Sequence, residues 1–307
     1  MKSFQLSVLI PTHGRPTLLK RTLASLEACT LPESYHELVV IENGSRSGAE
    51  TVVANLPDRL NARYMHESWG NKSNALNTAL ETIEDGLVVF FDDDIMVCPQ
   101  TLKAYAEHAI EMPRSGSAFW GGPFTVKYDV SPPQWMVPLL PRSARGWCLP
   151  DPGACFDELF LGFNWAAFKQ DIHAAGGFDI NYGPGAHTGA VGDESEMQRH
   201  LLMRGLEKIY VPDALVEHYV PTQRLSAYWL VNRKYREGVE VGLRLTGKSL
   251  TMGGIPGLVY RCVTALGQAG IQLCAGEKEA AIGTLLAIPK HAGVLRGIYS
   301  VKENSSV

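Results

Sequence analysis

The sequence lacks the cysteine patterns that identify zinc ribbons and compact disulfide scaffolds. Its six cysteines are widely and irregularly spaced among 307 residues, and none belongs to a C-x-x-C pair. Reduced thiols in a cytoplasmic protein are the simplest interpretation of this spacing. The N-terminal segment also lacks the long apolar region and small-residue cleavage site of a signal peptide, so we expect no signal peptide there.

The sequence also lacks an excess of positive charge, internal repeats and low-complexity tracts. Its formal net charge of −4 argues against nucleic acid as the main partner. The absence of a G-x-G-x-x-G segment disfavours a dinucleotide-dependent oxidoreductase. The composition, 45% hydrophobic and 20% charged, is that of an ordinary globular protein. The length suits one large α/β domain with an appendage, or two modest domains.

Apolar runs alternate with segments of helical spacing in the first part of the chain. Residues 38–41 and 87–91 are continuous apolar runs, and residues 6–10 are apolar except for Ser7; such runs are typical of strands that are covered on both faces. Residues 17–28 and 73–83 carry apolar side chains at helical spacing. This alternation predicts an α/β fold with a mostly parallel sheet flanked by helices.

The pattern changes after about residue 221. Residues 225–247 and 255–300 have largely helical patterns and no clear strand. We therefore expect an α/β domain over residues 1–222 and a C-terminal helical region over residues 223–307.

Polar residues follow three of the predicted strands directly. These segments are Pro11-Thr12, Glu42-Asn43 and Asp92-Asp93-Asp94. Ligands of parallel sheets bind at the carboxyl ends of the strands. The three segments are therefore expected to converge on one ligand-binding edge of the sheet.

The three consecutive aspartates are the first candidate for a metal site. Adjacent carboxylates repel one another, and a hard divalent ion such as Mg²⁺ or Mn²⁺, shared with phosphate oxygens, would offset that repulsion. An acidic turn in water is the alternative interpretation. His218, at the end of a later predicted strand, is a second candidate ligand, although a lone histidine is often structural.

A second pair of carboxylates, Asp193-Glu194, opens a predicted helix. Acidic residues in a first helical turn often serve only as caps or dipole partners. The functional alternative is a general base that takes the proton of an attacking sugar hydroxyl. With a metal at one end and a base at the other, the attack can be in line and can invert the anomeric centre.

The order and spacing of seven segments resemble the family 2 glycosyltransferases, which have the GT-A fold. The resemblance covers about residues 4–222. The segments are 7–15 (SVLIPTHGR), 40–45 (VIENGS), 71–77 (NKSNALN), 90–94 (FFDDD), 176–179 (GGFD), 192–196 (GDESE) and His218.

The resemblance implies roles for individual residues. Contacts to the donor nucleotide are implied for ten residues: Pro11, Thr12, Arg15, Glu42, Asn43, Asn71, Lys72, Asn74, Asp92 and Asp93. Asp94 and His218 are the implied metal ligands, for Mn²⁺ or Mg²⁺. The family often has Glu-Asp before the catalytic helix, whereas this chain has Asp193-Glu194. In the order of the motif, Glu194 takes the position of the family's general base. The reversed order leaves Asp193 as the alternative base.

The resemblance also implies an activity. It is that of an inverting glycosyltransferase of cell-envelope polysaccharide biosynthesis. The enzyme would transfer sugar from a UDP- or dTDP-sugar to a hydroxyl of a saccharide or lipid-linked acceptor. A sugar-phosphate nucleotidyltransferase would need a glycine-rich phosphate loop after the first strand, where this chain has residues 11–15 (PTHGR). A non-catalytic carbohydrate-binding protein would not need a metal cluster together with a base.

The C-terminal region leaves several interpretations open. Residues 226–238 carry Arg233 and Arg236, which suit either phosphate binding over the donor or a solvated helix. Residues 253–275 are apolar but rich in glycine, which does not predict a membrane-spanning helix. Together with Lys290 and Arg296 they suit peripheral contact with the inner face of a membrane. A helical hairpin or a homo-oligomer contact is equally consistent with the pattern.

Overall fold

The computed structural model describes residues 4–111, 116–151, 153–245 and 254–304. Part of the predicted C-terminal region, residues 246–253 and 305–307, lies outside these ranges. The strands are β1 (Gln5–Thr12), β2 (Tyr35–Asn43), β3 (Ala62–Glu67), β4 (Gly86–Phe90), β5 (Ile95–Val97), β6 (Ala118–Gly121), β7 (Phe124–Tyr128), β8 (Trp165–Phe168), β9 (Glu207–Tyr210) and β10 (Val216–Val220). The helices are α1 (Pro16–Glu27), α2 (Ala49–Ala54), α3 (Lys72–Thr82), α4 (Thr101–Glu111), α5 (Lys169–Ala174), α6 (Asp193–Met203), α7 (Ala227–Leu245), α8 (Gly254–Cys274), α9 (Lys278–Leu285) and α10 (Ala287–Asn304).

The main sheet has seven strands in the order β3-β2-β1-β4-β8-β6-β9. Strand β1 lies between β2 and β4 and runs parallel to both, with Leu9 opposite Val39 and Phe90. Strand β8 is antiparallel to its neighbours β4 and β6. The sheet is therefore mixed and mostly parallel, which confirms the predicted fold class. A smaller sheet has the order β5-β10-β7.

The apolar runs form strands because helices cover both faces of the sheet. Leu6, Leu9, Val40 and Val89 are at most 1% exposed. Helix α1 packs on the face that carries Leu6, and α3 packs on the opposite face with Leu9. Burial on both faces is why these strands are continuously hydrophobic instead of alternating.

Helices α1 and α3 begin with recognisable sequence signals. Pro16 occupies the first turn of α1, where its missing N–H costs no hydrogen bond. Asn71 caps α3, because its side-chain oxygen accepts a hydrogen bond of 2.9 Å from the N–H of Asn74. These helix starts fix where Arg15, just before Pro16, and Lys72, just after Asn71, leave the backbone.

The chain forms two compact units. The first consists of Met1–Lys127, Arg142–Ile180 and Asp193–Tyr219, and the second of Tyr128–Pro141, Asn181–Gly192 and Val220–Val307. The last segment of the second unit begins close to the boundary expected near residue 222. The unit also includes two earlier segments, which the linear sequence pattern does not reveal. The division at residue 222 stays a prediction.

Glycines bring α7 and α10 of the second unit into backbone contact. A side chain at Gly238 would overlap with the backbone of Lys290, and one at Gly293 would overlap with the backbone of Tyr235. Gly242 and Gly297 repeat this arrangement four residues further along each helix. The two G-x-x-x-G patterns therefore permit an approach that no larger residue would allow. No helix in the described ranges is both long enough and apolar enough to cross a bilayer.

Candidate active site

The polar segments at the ends of β1 and β2 and just after β4 meet at one edge of the main sheet. The hydroxyl of Thr12 donates a hydrogen bond of 2.6 Å to Oδ2 of Asp93. The amide of Asn43 donates one of 3.0 Å to the carbonyl oxygen of Thr12. The parallel register of the strands produces this convergence, because strands that start together also end together. The polar ends therefore lie together, as the sequence predicts.

The three aspartates have different partners because they lie in the turn that ends β4. Oδ1 of Asp92 pairs with Nζ of Lys72 at 2.8 Å. Asp93 is fully buried and pairs with Arg15 as well as Thr12. Oδ2 of Asp94 pairs with Nη1 of Arg15 at 3.0 Å. The side chains of Arg15 and Lys72 thus offset part of the repulsion for which the sequence analysis invoked a metal ion alone.

Burial and charge shift the proton affinities of these groups. Burial raises the pKa of Asp93 to about 6, while Arg15 acts in the opposite direction. Burial alone would lower the pKa of Arg15, but the three neighbouring aspartates outweigh burial and raise it. The guanidinium is therefore held in its charged form beside the carboxylates.

His218 faces Asp94, with 3.6 Å between Nε2 and Oδ1. Its Nδ1 donates a hydrogen bond of 2.7 Å to the carbonyl oxygen of Ser143. Its ring stacks on Phe163, with 4.5 Å between ring centroids and 8° between planes. The N–H of Tyr219 also donates to the carbonyl oxygen of Asp94 at 2.9 Å, which ties β10 to the aspartate turn. These contacts fix the ring orientation, so that in neutral His218 the lone pair of Nε2 faces the carboxylate.

The pair formed by Asp94 and His218 fits a divalent cation. One carboxylate oxygen and one imidazole nitrogen are donors that Mn²⁺ accepts. The backbone carbonyl that holds the other ring nitrogen of His218 is the usual outer-shell partner of a ligating histidine. Within the described ranges no group of three or more His, Cys, Asp and Glu side chains is arranged around one point. Two side-chain ligands would suit ions that take their remaining ligands from phosphate and water.

Lys72 connects the aspartate turn to the second pair of carboxylates. Its Nζ lies 2.8 Å from Asp92 and 3.6 Å from Oδ2 of Asp193. Burial would lower the pKa of Lys72, but Asp193, Asp92 and Glu194 outweigh it and raise the pKa. One ammonium group thus links the end of β4 to the start of α6.

Glu194 lies in the first turn of α6, which begins at Asp193. Burial and the charge of Asp193 raise the pKa of Glu194 to about 8, with Lys72 acting in the opposite direction. A carboxyl group tuned in this way can exchange a proton near neutral pH. Glu194 shares a small recess with Lys72, Asp92, Asp193 and Pro11, whose wall is completed by Leu76, Phe90, Phe91, Gly162, Trp165 and Phe178.

Two of the predicted donor-binding residues have their side chains engaged by the scaffold. Glu42 is fully buried and accepts hydrogen bonds from Ser47 and Tyr64, which outweigh burial and lower its pKa. The amide of Asn71 caps α3 and donates to the carbonyl oxygen of Ile180 at 2.9 Å. The predicted donor contacts of these residues, and of the half-buried Asn74, stay predictions.

Gly162 and Ser143 also shape the site, although neither was predicted from the sequence. A Cβ at Gly162 would lie 2.9 Å from the carboxyl carbon of Glu194, so the glycine leaves the space that this side chain occupies. The glycine stands in the conspicuous segment 162–165 (GFNW), which was a usable signal. Ser143 acts through its backbone carbonyl, for which the sequence carries no signal.

The chain is similar to several known proteins. Residues 7–148 match the profile described as Glycosyl transferase family 2. The succinoglycan biosynthesis protein ExoM of Rhizobium meliloti (strain 1021) is 26% identical over 330 residues, which cover 98% of this chain and 95% of that protein. Validoxylamine A glucosyltransferase of Streptomyces hygroscopicus subsp. limoneus is 36% identical over 108 residues, 34% of this chain and 24% of that enzyme.

A solved structure matches nearly the whole chain. It is the mannosyltransferase PcManGT from Pyrobaculum calidifontis in complex with GDP-Man and Mn²⁺, with a TM-score of 0.60 and 18% sequence identity. The match covers 98% of this chain and 88% of that one, and it supports the GT-A fold. Residues 7–148 therefore match the glycosyltransferases of family 2, and the solved structure shows that the fold is GT-A.

Proposed function

We propose that the enzyme transfers a sugar, with inversion, from a nucleoside diphosphate donor to a hydroxyl of a saccharide or lipid-linked acceptor. The observation that carries the proposal is the position of Lys72, which contacts Asp92 at one end of the recess and Asp193 at the other. A donor diphosphate and an acceptor hydroxyl would then meet across a single small space.

The donor diphosphate is assigned to the edge formed by Arg15, Lys72, Asp92, Asp93 and Asp94. Asp94 and His218 would hold Mn²⁺ or Mg²⁺, and the solved mannosyltransferase structure is a complex with Mn²⁺. Such an ion supplies positive charge to the diphosphate as it leaves. Arg15 and Lys72 add positive charge from the protein itself, so the edge can stabilise negative charge that develops during the reaction.

The nucleoside is assigned to the ends of β1 and β2 and the start of α3. The residues proposed to contact it are Pro11, Thr12, Glu42, Asn43, Asn71 and Asn74. UDP and dTDP donors are the proposed choice. The solved relative contains GDP-Man, so the base is best established by a direct comparison of donors.

Glu194 is assigned the general base. It would take the proton of the acceptor hydroxyl while the oxygen bonds to the anomeric carbon and the bond to the diphosphate breaks. This single displacement inverts the anomeric centre and needs no covalent enzyme intermediate. The pKa of about 8 places Glu194 close to the pH at which it would work. Asp193, paired with Lys72, is the alternative base.

The proposed setting is cell-envelope polysaccharide synthesis in the cytoplasm. The relative that aligns with nearly the whole chain is named for succinoglycan biosynthesis. Contact with the inner face of a membrane would bring the enzyme to lipid-linked acceptors.

A donor panel tests the proposal. UDP-, dTDP- and GDP-sugars are compared by thermal shift and by hydrolysis, with and without Mn²⁺. A specific donor at a hundred times its Kd stabilises the folded enzyme by about 2.7 kcal/mol. We expect one nucleotide class to raise Tm and this rise to require the metal. Unchanged Tm and no hydrolysis with any donor would contradict the proposal.

Three variants test the assigned roles. Glu194→Gln is expected to lower kcat by about 10²–10⁴-fold while donor binding persists, because only the proton acceptor is removed. Asp94→Ala is expected to abolish the metal-dependent part of donor binding. If Glu194→Gln stays fully active and Asp193→Asn is inactive, the base is Asp193.

A further inference from the structure

Helix α6 holds the segment 159–162 through the side chain of Gln198. Oε1 of Gln198 accepts a hydrogen bond of 2.8 Å from the N–H of Phe160, and Nε2 donates one of 3.1 Å to the carbonyl oxygen of Phe160. We call this pair of bonds the amide clamp. Arg142 donates a further hydrogen bond to the carbonyl oxygen of Leu159. Because the segment belongs to no helix or strand, these bonds replace the partners that a regular element would supply.

The same segment lies against Glu194 two residues further along. A Cβ at Gly162 would come within 2.9 Å of the carboxyl carbon of Glu194 and 3.1 Å of its Oε2. Glu194 and Gln198 are four residues apart in α6, so they share one face of the helix. Four helical residues rise about 6 Å, and two residues of extended chain span at most about 7 Å. The segment can therefore make both contacts along one helix face.

Charged groups face Glu194 from several elements. Asp193 lies beside it in α6, whereas Lys72 of α3 and Asp92 after β4 line the same recess. Arg142 is close enough for its charge to interact with that of Glu194. Burial is the largest cause of the raised pKa of Glu194; Asp193 adds to it and Lys72 opposes it. Exclusion of water from this carboxyl group therefore matters more than any single charge.

We propose that Gln198 is a positioning residue for the transfer reaction, whose amide clamp holds Gly162 against Glu194 and so keeps this carboxyl group dry and in one orientation. The inference rests on the proposed role of Glu194 as the general base. Loss of the clamp would loosen the segment and admit water, which favours the ionised carboxylate and lowers its pKa. It would also let the carboxyl group turn away from the acceptor hydroxyl, which slows proton transfer.

A purely structural clamp is the competing interpretation, and α3 provides one for comparison. The side-chain amide of Asn77 donates a hydrogen bond of 2.8 Å to the carbonyl oxygen of Phe178 and accepts one of 2.8 Å from its N–H. The neighbouring Gly177 packs on this amide itself, because a Cβ there would lie 2.9 Å from Oδ1 of Asn77. The clamp of α6 differs in that its glycine packs on the proposed base.

Steady-state kinetics over a range of pH test the role of Gln198. Gln198→Met keeps most of the side-chain volume but can make neither bond of the clamp. The plateau value of kcat at high pH is expected to fall by about tenfold. The midpoint of the rise in rate, expected at about 8 in the wild type, should lie about one pH unit lower. KM for the donor is expected to stay the same, because Phe160 is not part of the proposed donor edge.

Asn77→Leu is the matched control, since it removes the same kind of clamp from another helix. Its free energy of unfolding is expected to fall as in Gln198→Met, while its pH midpoint stays that of the wild type. Amide hydrogen exchange, which needs neither donor nor acceptor, is expected to become about tenfold faster at Phe160 in Gln198→Met alone. If Gln198→Met does not fold, Gln198→Asn replaces it. Its shorter side chain weakens the clamp, so a smaller shift in the same direction is expected.

Two results would overturn the inference. One is an unchanged pH midpoint in a folded Gln198→Met or Gln198→Asn, while Glu194→Gln is strongly impaired. The other is an equal shift in Asn77→Leu, which would mean that any loosening near the recess hydrates Glu194. Full activity of Glu194→Gln would be a different failure, because it would refute the proposed base and the inference with it.

Discussion

The two compact units depend on opposite kinds of contact. In the first unit, charged side chains line the recess, and the ammonium group of Lys72 lies near both Asp92 and Asp193. In the second unit, α7 and α10 touch through Gly238, Gly242, Gly293 and Gly297, which have no side chains at all. We infer that substitutions in the recess change chemistry, whereas substitutions at the glycines change stability.

The largest expected effect is on activity, at Lys72. Lys72→Met removes the charge at the centre of the recess while keeping most of the side-chain volume. The transfer rate is expected to fall by about 100-fold or more, because a fixed positive charge beside the proposed diphosphate site is lost. Kinetic assays of the variant measure this. Full activity would show that the charge is structural and would remove the contrast between the units.

The next effect is on stability, in the second unit. Gly242→Ala places a methyl group where the backbone of Val294 and Gly297 already lies. The free energy of unfolding is expected to fall by about 2–3 kcal/mol, because the helices must separate or distort. Chemical denaturation with urea measures this change.

Gly267→Ala in α8 is the matched control for the glycine contacts. No atom lies within 4 Å of a Cβ built at Gly267. Alanine is the better helix former by about 1 kcal/mol, so this variant is expected to be slightly more stable than the wild type. Equal losses at Gly242 and Gly267 would mean that helix contact does not explain the glycines.

A smaller effect is expected at a glycine of the first unit. Gly162→Ala would push on the carboxyl group of Glu194 and displace the proposed base. Displacement of a catalytic group by a fraction of an ångström is expected to lower kcat by about tenfold or more. Gly153→Ala is the control, since its Cβ would meet only Asp151 at an ordinary distance of 3.6 Å. A loss of stability with unchanged kcat would place Gly162 with the structural glycines.

The smallest expected effect is the pH dependence that Glu194 gives to activity and stability. A base must be ionised, so the rate is expected to rise with pH up to about 8 and then level off. Because the folded-state pKa is raised, the folded protein binds this proton more tightly than the unfolded chain. Its contribution to stability is therefore complete below the unfolded pKa and is lost as pH rises through about 8. Both trends should be absent from Glu194→Gln.

Much of the first unit could be predicted because its signals are local. The continuous apolar run before Asp92 predicts a buried strand, and β4 ends within one residue of the expected position. The parallel register then brings Thr12 and Asn43 together, as general sheet geometry requires. The position of Glu194 at the start of a helix is also a local signal.

Contacts between distant segments were harder to predict. The pairing of Arg15 with Asp93 and Asp94 joins residues far apart in sequence, and no short motif specifies it. The assignment of residues 128–141 and 181–192 to the second unit depends on three-dimensional packing alone. In the sequence, the glycines of α7 and α10 look like residues that weaken a helix. Their role depends on contact with the other helix, which the pattern of a single helix does not show.

The glycine contacts also determine the direction of the chain. Gly238 lies beside Gly293 and Gly242 beside Gly297, so α7 and α10 run parallel. Two parallel helices joined in one chain require a return path of about one helix length between them. The 21 residues of α8 extend roughly 31 Å at 1.5 Å per residue, slightly more than the 19 residues of α7 need. Shortening the chain between α7 and α10, to which α8 contributes the most residues, is therefore expected to oppose their parallel alignment.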